Sequence, residues 1–514
     1  MLTSFQAVPV YGHFRQAAER APDKLALVAG NARYAYRDLL QEVDALANGL
    51  SIAGVRAGDH IGVLLPNGAE FVLTLLAGAR LGAVIVPQSM GLSPEALVST
   101  FKAAEVRHLI AWSGAVPHLA DLSLPADSMR AVARGEREGW TSMQALIDTG
   151  RARSVDAPVS QPERPYLMIL TSGSTGKPKP ILLSQHAKLL RAAAAAELYG
   201  VTADDVTLAA TPLYHSLAQR LVLLPLTTGG TSIVMEHFTP ATWIAAVRQH
   251  GVSFSIAVSS QLRQILDGLI SGGESLPSLR CLVSSSALLD DATKACLLSQ
   301  LSCEFHECYG ASEIAIATNL SPAGAASKLG SVGQVIPGVD VLILGEDGRP
   351  VAPNTPGEIL CRTPMLFNGY HAQPSVTEAA MWGHYFRTGD LGMMDDDGFL
   401  YFLGRIKDII ICGGVNIYPK DIEDVIAGHP AVSECAAIPL PDALLGEVVG
   451  AVVALHASAP PLQPRDLQRL CMQRLGDFQQ PRRFFFVSEL PRNAMGKLDK
   501  PALRQAYSTG PEKG

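Results

Sequence analysis

The sequence predicts an α/β protein: a large amino-terminal domain of layered α/β subdomains with a β-rich subdomain, followed by a small α+β domain. Three observations predict it. A chain of 514 residues exceeds one ordinary core, and about 100–200 residues per domain gives two to four units. Helical and extended patterns alternate through the first third and again from Pro240 to Ser286, as parallel sheets covered by helices require. From Gly330 to Gly404 the chain turns rich in Gly, Pro and Asp with short apolar runs, and the alternation then resumes.

Taken in order, Tyr11 to Arg20 has helical spacing, Lys24 to Val28 is extended, and Tyr36 to Ile52 is helical. His60 to Leu65 is extended and Ala69 to Leu81 helical. Later, a helix around Trp243 to His250 leads to the strand Phe254 to Val258, another helix, and the apolar run Arg280 to Val283. Short strands follow at Val339 to Leu344, Gly357 to Cys361 and Phe399 to Leu403. The last part reads as helix (Pro419 to Ala427), strands (Ala436 to Leu440, Val448 to Leu455) and helix (Asp466 to Arg474). Ala457 to Pro464 reads as a loop and Ser508 to Gly514 as a frayed tail. The boundary falls at 404–407, separating residues 1–403 from 408–514. No internal repeat is visible.

Composition narrows the function. The formal charge of -7 offers no basic footprint, which argues against a nucleic-acid partner. Met1 to Pro9 lacks a basic segment followed by an apolar run, so no secretory signal is expected. The most membrane-like stretch, Phe71 to Val86, contains Arg80, Gly78 and Gly82 and is short for a span; it reads as a buried helix and a strand. All eight cysteines lie after residue 280 with no CxxC pair, which suits a reducing cytoplasm and supports neither a zinc ribbon nor a disulfide framework. Cys303, His306 and Cys308 sit close together, but no second cluster completes a tetrahedral set, and packing is the expected role.

Thr171-Ser172-Gly173-Ser174-Thr175-Gly176-Lys177-Pro178-Lys179 follows the apolar segment Tyr166 to Leu170. Small residues let backbone N–H groups approach phosphate oxygens, hydroxyls donate, and Lys177 and Lys179 supply charge, so the stretch reads as a polyphosphate-holding loop. A Walker A loop needs Gly where Thr171 stands and Ser or Thr where Pro178 stands, so that reading fails. Proline after Lys177 also opposes a helix starting there.

Five further segments stand in order behind it: Thr211-Pro212-Leu213-Tyr214-His215, Tyr309-Gly310-Ala311-Ser312-Glu313, Tyr385-Phe386-Arg387-Thr388-Gly389-Asp390, Gly404-Arg405-Ile406-Lys407-Asp408 through Asn416-Ile417-Tyr418-Pro419, and Asn493-Ala494-Met495-Gly496-Lys497. With the phosphate loop they resemble the signature set of the adenylate-forming superfamily, which includes acyl-CoA synthetases, stand-alone adenylation domains and luciferase-like enzymes. The resemblance covers nearly the whole chain. It implies an AMP-binding domain over 1–403, a hinge at 404–407 and a mobile domain over 408–514.

It also implies the reaction: a carboxylate attacks the α-phosphate of ATP, pyrophosphate leaves, and a thiol takes the acyl group from the adenylate. Two anions must be brought together, so catalysis is largely positioning and charge neutralisation. By resemblance, Thr171, Ser172, Gly173, Ser174, Thr175 and Lys177 hold the β- and γ-phosphates. Glu313 binds Mg2+ as a hard oxygen ligand. Tyr309, with Gly310 and Ser312, packs the adenine, and Ser286 and Ala287 flank it at the end of a small-residue strand, Ser284 to Ala287. Asp390 takes the ribose hydroxyls, and Arg405 reaches the ribose and phosphate. Lys497 bridges the carboxylate and α-phosphate. Lys407 is the hinge about which the small domain turns between half-reactions, at a position where many relatives carry Asp. Gly413 and Gly414 line the pantetheine path of CoA, and His215 gates the acyl site.

Amino-acid-activating relatives place an aspartate after a phenylalanine to pair with the α-ammonium group; here Thr239 follows Phe238. An unpaired buried ammonium is costly, so an acyl or aryl carboxylic acid is expected. The expected pocket wall, Ile256 to Gln261 and Val283 to Ala287, is serine-rich (Ser259, Ser260, Ser284, Ser285, Ser286), which either narrows an acyl tunnel or serves a functionalised acid. The acceptor is free CoA or the phosphopantetheine of a separate acyl carrier protein. The Gly413 to Pro419 stretch looks most like CoA ligases, which ranks CoA first. A non-catalytic nucleotide sensor ranks last, because a sensor has no need of Lys497. Neither the particular acid nor the oligomeric state is encoded in these motifs.

Overall fold

The computed structural model describes residues 8–153, 155, 161–172, 178–272, 275–456, 459–460, 462–492 and 498–508. The chain forms two compact units by packing, residues 1–340 with 361–386, and residues 341–360 with 387–514. This packing division falls earlier in sequence than the 404–407 hinge expected above. It reflects where contacts are dense and leaves the position of a rotation axis open.

The first unit is built on two sheets. One has nine strands, ordered Gln334–Val335, Ala315–Leu320, Glu304–Ala311, Cys281–Ser285, Phe254–Val258, Val206–Ala209, Thr231–Val234, Leu25–Ala29 and Ala32–Ala35. It is parallel from Glu304–Ala311 across to Leu25–Ala29 and antiparallel at both edges. The other has seven strands, ordered Thr141–Ser142, Arg130–Ala133, His108–Trp112, His60–Leu64, Val84–Pro87, Pro165–Ser172 and Pro178–Ser184, with only the last pair antiparallel. The predicted helices Tyr36–Ile52 and Ala69–Leu81 and the strand Phe254–Val258 form with the expected bounds. Ala69–Leu81 is buried along almost its whole length, as a helix apolar on every side must be.

Two helices of this unit, Tyr36–Ile52 and Met143–Ala152, meet backbone to backbone. A Cβ on Gly150 would lie 1.9 Å from the Ala45 carbonyl oxygen, and one on Gly49 2.0 Å from that of Leu146. Asn48 Nδ2 donates to the Gly150 carbonyl at 3.2 Å, closing the contact. Glycine is required here by close approach.

Strands Asp340–Leu344, Gly357–Arg362, Tyr385–Met394 and Leu400–Arg405, whose residues fall mostly in the second unit, make with Met381–Trp382 the β-rich sheet foreseen between Gly330 and Gly404. A second sheet runs Val415–Ile417, Ile410–Cys412, Gly446–Leu455, Val432–Asp442, with Arg483–Val487 parallel to Gly446–Leu455. Its core of Ile410, Ile422, Ile438, Val452 and Leu467 is closed by helices Pro419–Ala427 and Pro464–Arg474. That last helix begins at Pro464, where a loop was expected, because proline suits the first helical turn and the Gln463 and Asp466 side chains cap it reciprocally. Among the described residues no helix is long and apolar enough to cross a membrane.

Gly150→Ala should destabilise the fold: overpacking of about 1–3 kcal/mol exceeds the gain of about 1 kcal/mol in helix propensity. Thermal and urea melts should both shift down; an unchanged midpoint would contradict the backbone contact.

Candidate active site

Strands Pro165–Ser172 and Pro178–Ser184, which flank the expected phosphate-binding stretch in sequence, pair antiparallel. A strand and not a helix begins at Pro178, as the proline required. Thr171 and Ser172 end the first strand; Gly173, Ser174, Thr175 and Lys177 lie outside the described residues.

The second strand is joined by a segment that sequence reasoning missed, 367–371. Leu182 N donates to the Gly369 carbonyl at 3.0 Å, Asn368 N to Leu182 at 2.8 Å, and His371 N to Pro180 at 2.8 Å. This sets Tyr370 between two predicted groups. Its ring lies 5.3 Å from Lys179 Nζ, a cation–π contact, and its hydroxyl donates to Glu313 Oε1 at 3.0 Å. Burial first, and then the Glu313 charge, push the Tyr370 phenol well above its ordinary range, so it stays a donor. The available signal was Asn368-Gly369, a turn dipeptide directly before a tyrosine.

Glu313 is fixed through its backbone as well. Phe367 N donates to its carbonyl at 2.8 Å. Arg191, on helix Gln185–Tyr199, is 2% exposed and donates to Glu313 O at 3.0 Å, Ser312 O at 2.8 Å and Met365 O at 2.8 and 3.1 Å. Burial lowers this guanidinium to about 9, so it is still a cation at neutral pH. Buried Lys188 on the same helix, hydrogen-bonded to Ser216 Oγ and Gln219 Oε1 at 3.2 Å each, is pushed far down by burial, with Arg191 and Arg220 adding.

The other first-unit residues emerge at one edge of the nine-stranded sheet, because Val206–Ala209, Phe254–Val258, Cys281–Ser285 and Glu304–Ala311 are parallel and their carboxyl ends lie together. Ligands of open α/β sheets bind outside that edge. After Ala209 come Thr211 to His215, pinned by Asn67, which accepts from Leu213 N at 2.7 Å and donates to Thr211 O at 3.1 Å. His215 precedes helix Ser216–Thr228 and packs against Tyr214 with ring centroids 4.2 Å apart and planes tilted by 55°. After Ser285, Ser286 takes a left-handed φ of 76° and is exposed with Ala287, a strain of the kind that marks functional loops. This turn is held by Ser259 Oγ donating to Ala287 O at 2.5 Å and by Glu307 Oε1 accepting from Leu289 N at 3.0 Å. Buried Lys294 lies 2.7 Å from Glu307 Oε2 and offsets the upward push of burial on that carboxyl. Tyr309 is buried in its strand, and Gly310 has a reason beyond ligand approach: a Cβ there would lie 1.7 Å from the Ala315 carbonyl. Thr239, considered for substrate contact, caps helix Pro240–His250.

In the second unit, Asp390 and Arg405 face each other across antiparallel strands, with Arg405 Nε 3.3 Å from Asp390 Oδ1. Buried Glu358, also missed, holds the strand segment before Asp390 by accepting from Gly389 N at 3.2 Å and Arg387 Nη2 at 2.6 Å. Lys407 sits in a short turn, Ile406–Asp408, whose carbonyl and Asp408 carboxylate accept from Arg504 at 3.2 and 2.8 Å. Gly413 and Gly414 form the two-residue turn of hairpin 410–417, with φ of 59° and 85°. Such turns demand positive φ at both positions, so hairpin geometry alone explains both glycines. Lys497 lies outside the described residues.

The cluster of Cys303, His306 and Cys308 is not the one the fold assembles. Cys303 packs on the apolar cluster around Leu282 and Phe305, while His306 lies with Cys281 and Glu304. All eight cysteines are free thiols.

Loops at the carboxyl edge of a parallel sheet and an anchored glutamate beside them give the layout in which open α/β proteins bind ligands. A family model described as AMP-binding enzyme matches residues 14–371, and one described as AMP-binding enzyme C-terminal domain matches residues 421–497. The indoleacetate–CoA ligase of Aromatoleum aromaticum is 32% identical over 509 residues, covering 94% of this chain and 95% of that protein. A feruloyl-CoA synthase of Amycolatopsis sp is 32% identical over 492 residues, covering 95% and 97%. The o-succinylbenzoate CoA synthetase of Bacillus subtilis, solved with its acyl-adenylate intermediate, superposes with a TM-score of 0.83 at 26% identity over 96% of this chain and 98% of that one. The chain belongs to the adenylate-forming AMP-binding enzyme family.

Tyr370→Phe removes one hydrogen bond to a carboxylate and should cut kcat/KM for ATP about tenfold, with a melting temperature near that of the unaltered protein. Unchanged ATP kinetics would show that the Glu313 carboxylate needs no such support.

Proposed function

We propose that the protein is an AMP-forming acid–thiol ligase that converts an acyl or aryl carboxylic acid to its adenylate with ATP, releasing pyrophosphate, and transfers the acyl group to CoA. The observation that carries this reading is Glu313, held at the carboxyl edge of the parallel sheet by Tyr370 and Arg191, with Lys179 on the other side of the same tyrosine. Relatives named for indoleacetate and ferulate favour an aromatic or aryl-alkyl acid. The serine-rich strand ends and the lack of an acid at Thr239 agree with a substrate that carries no α-ammonium group.

Glu313 fits a magnesium ion: Tyr370 occupies one carboxylate oxygen with a neutral donor, and hard oxygen donors suit this cation. Bound together with ATP phosphates, Mg2+ would supply charge neutralisation. The chain's own residues do the rest. Lys179 and the 171–177 loop bind the anionic phosphates, and the strained turn at Ser286 offers exposed backbone to the adenine beside Tyr309. Asp390, paired with Arg405, accepts from the ribose hydroxyls. Lys497 draws the substrate carboxylate and α-phosphate together, Gly413 and Gly414 admit the pantetheine arm, and Lys407 is the hinge. Eight free thiols and a need for ATP and CoA agree with a cytoplasmic reaction.

A panel of indoleacetic, cinnamic, benzoic and short to long acyl acids, scored by ATP–pyrophosphate exchange with and without CoA, tests this. Exchange with CoA-dependent AMP release is expected; exchange without CoA turnover would favour loading of a carrier protein, and no exchange with any acid would favour a sensor. Lys497→Ala should abolish exchange while thioester formation from supplied acyl-adenylate survives. Equal loss of both half-reactions would overturn the role given to Lys497.

A further inference from the structure

At the amino ends of the parallel strands, opposite the proposed active site, three metal-capable side chains converge. Cys281 opens one strand, Glu304 opens the next and is its direct register partner, and His306 follows on the same face. A thiol sulfur, a carboxylate oxygen and an imidazole nitrogen all lie within 4.8 Å of one another. Cys281 and His306 are buried and Glu304 is exposed, so the cluster has an open side toward water.

His306 supplies the second observation. It is 6% exposed, and its Nε2 is buried without a hydrogen-bond partner. The nearest carboxylate oxygen, Glu304 Oε2, is 3.6 Å away, too long for a hydrogen bond. It is nonetheless the separation that two ligands take around one tetrahedral ion with bonds of about 2.0–2.3 Å. The ring is fixed from behind: Nδ1 lies 3.1 Å from the Asn319 side-chain amide, whose Oδ1 is 3.3 Å from the Tyr199 hydroxyl, and Tyr199 packs edge-on against the imidazole at 5.2 Å. Turning the Asn319 amide over keeps both neighbours paired, with Oδ1 accepting from Nδ1–H and Nδ2 donating to Tyr199. That arrangement leaves the Nε2 lone pair aimed at the cluster. An outer partner orienting a ligating histidine is the usual support of a metal site.

We propose that Cys281, Glu304 and His306 form a binding site for a divalent transition ion of borderline softness, Zn2+ foremost, with a fourth position open to water. Sulfur and imidazole donors select against the hard Mg2+ that suits Glu313. On binding, the Cys281 thiol gives its proton to solvent and coordinates as thiolate. The ion would tie together two adjacent strands whose far ends carry Ser286 and Glu313.

The test is Zn2+ titration of the full-length, untagged protein against a chromophoric chelator, with Co2+ as spectroscopic probe. One ion per chain is expected, with the intense visible bands of four-coordinate Co2+ and a near-ultraviolet thiolate-to-cobalt absorption that vanishes in Cys281→Ser. Glu304→Gln, at an exposed position that spares the fold, should weaken Zn2+ by about tenfold or more, and His306→Gln further. Pyrophosphate exchange by Glu304→Gln in Mg2+ should equal that of the unaltered protein, which separates this site from the proposed active site. No stoichiometric Zn2+ binding, or affinity and spectra unchanged in Cys281→Ser and Glu304→Gln, would overturn the proposal.

Discussion

The buried guanidinium of Arg191 is the constraint on which the first unit's site depends. A cation almost wholly removed from water is tolerable only where its donors are satisfied, and here they meet the carbonyls of Ser312, Glu313 and Met365. The debt runs both ways. Without Arg191 the carbonyls of Ser312 and Met365 would lose these donors at about 1–3 kcal/mol each, while that of Glu313 would keep only Phe367 N. One helix side chain therefore fixes both the turn that carries Glu313 and the segment that leads to Tyr370. Tyr370 closes the arrangement by linking the Glu313 carboxylate to the lysine-bearing strand beyond the phosphate loop.

The same logic of fixed polar groups recurs at other loops of the site. Glu307, itself supported by Lys294, holds the Leu289 N–H, and Ser259 holds the Ala287 carbonyl, so the exposed left-handed turn at Ser286 is over-determined by its neighbours. In the second unit Glu358 does this for the strand segment that presents Asp390. Asp390 and Arg405 pair across their strands, with Arg405 Nε 3.3 Å from Asp390 Oδ1. Glu307, Lys294 and Glu358 are given no contact with substrate; by holding their neighbours in place they reduce the reorganisation that binding two anions would otherwise demand.

Much of this was legible in one dimension. The alternation of helical and extended patterns marked the layers because period 3.6 and period 2 are local properties, and Pro178 argued against a helix starting there because proline restricts the backbone of the residue before it. Charge-bearing motifs such as Tyr309 to Glu313 and Asp390 to Arg405 were visible because catalysis of this type needs particular residues at fixed short spacings. Arg191, Tyr370, Glu358 and Glu307 were not, since their partners lie tens to more than a hundred residues away and carry no local signature. Packing was the role expected of Cys303, and Cys303 packs on the core; what the sequence did not show is that strand pairing brings Cys281 to Glu304 and His306.

The sequence by itself determined the fold class, the order of the elements, the family and the chemistry of adenylate formation, because each is written in residue periodicity or in short contiguous motifs. Tertiary structure decided which groups hold those motifs in place and which distant side chains meet. Gly413 and Gly414 show the division. Sequence marked them as functional, and the fold showed that a two-residue hairpin turn with positive φ requires glycine whatever passes over it. Side-chain convergence depends on register between strands far apart in the chain, and register is settled only when the sheet closes.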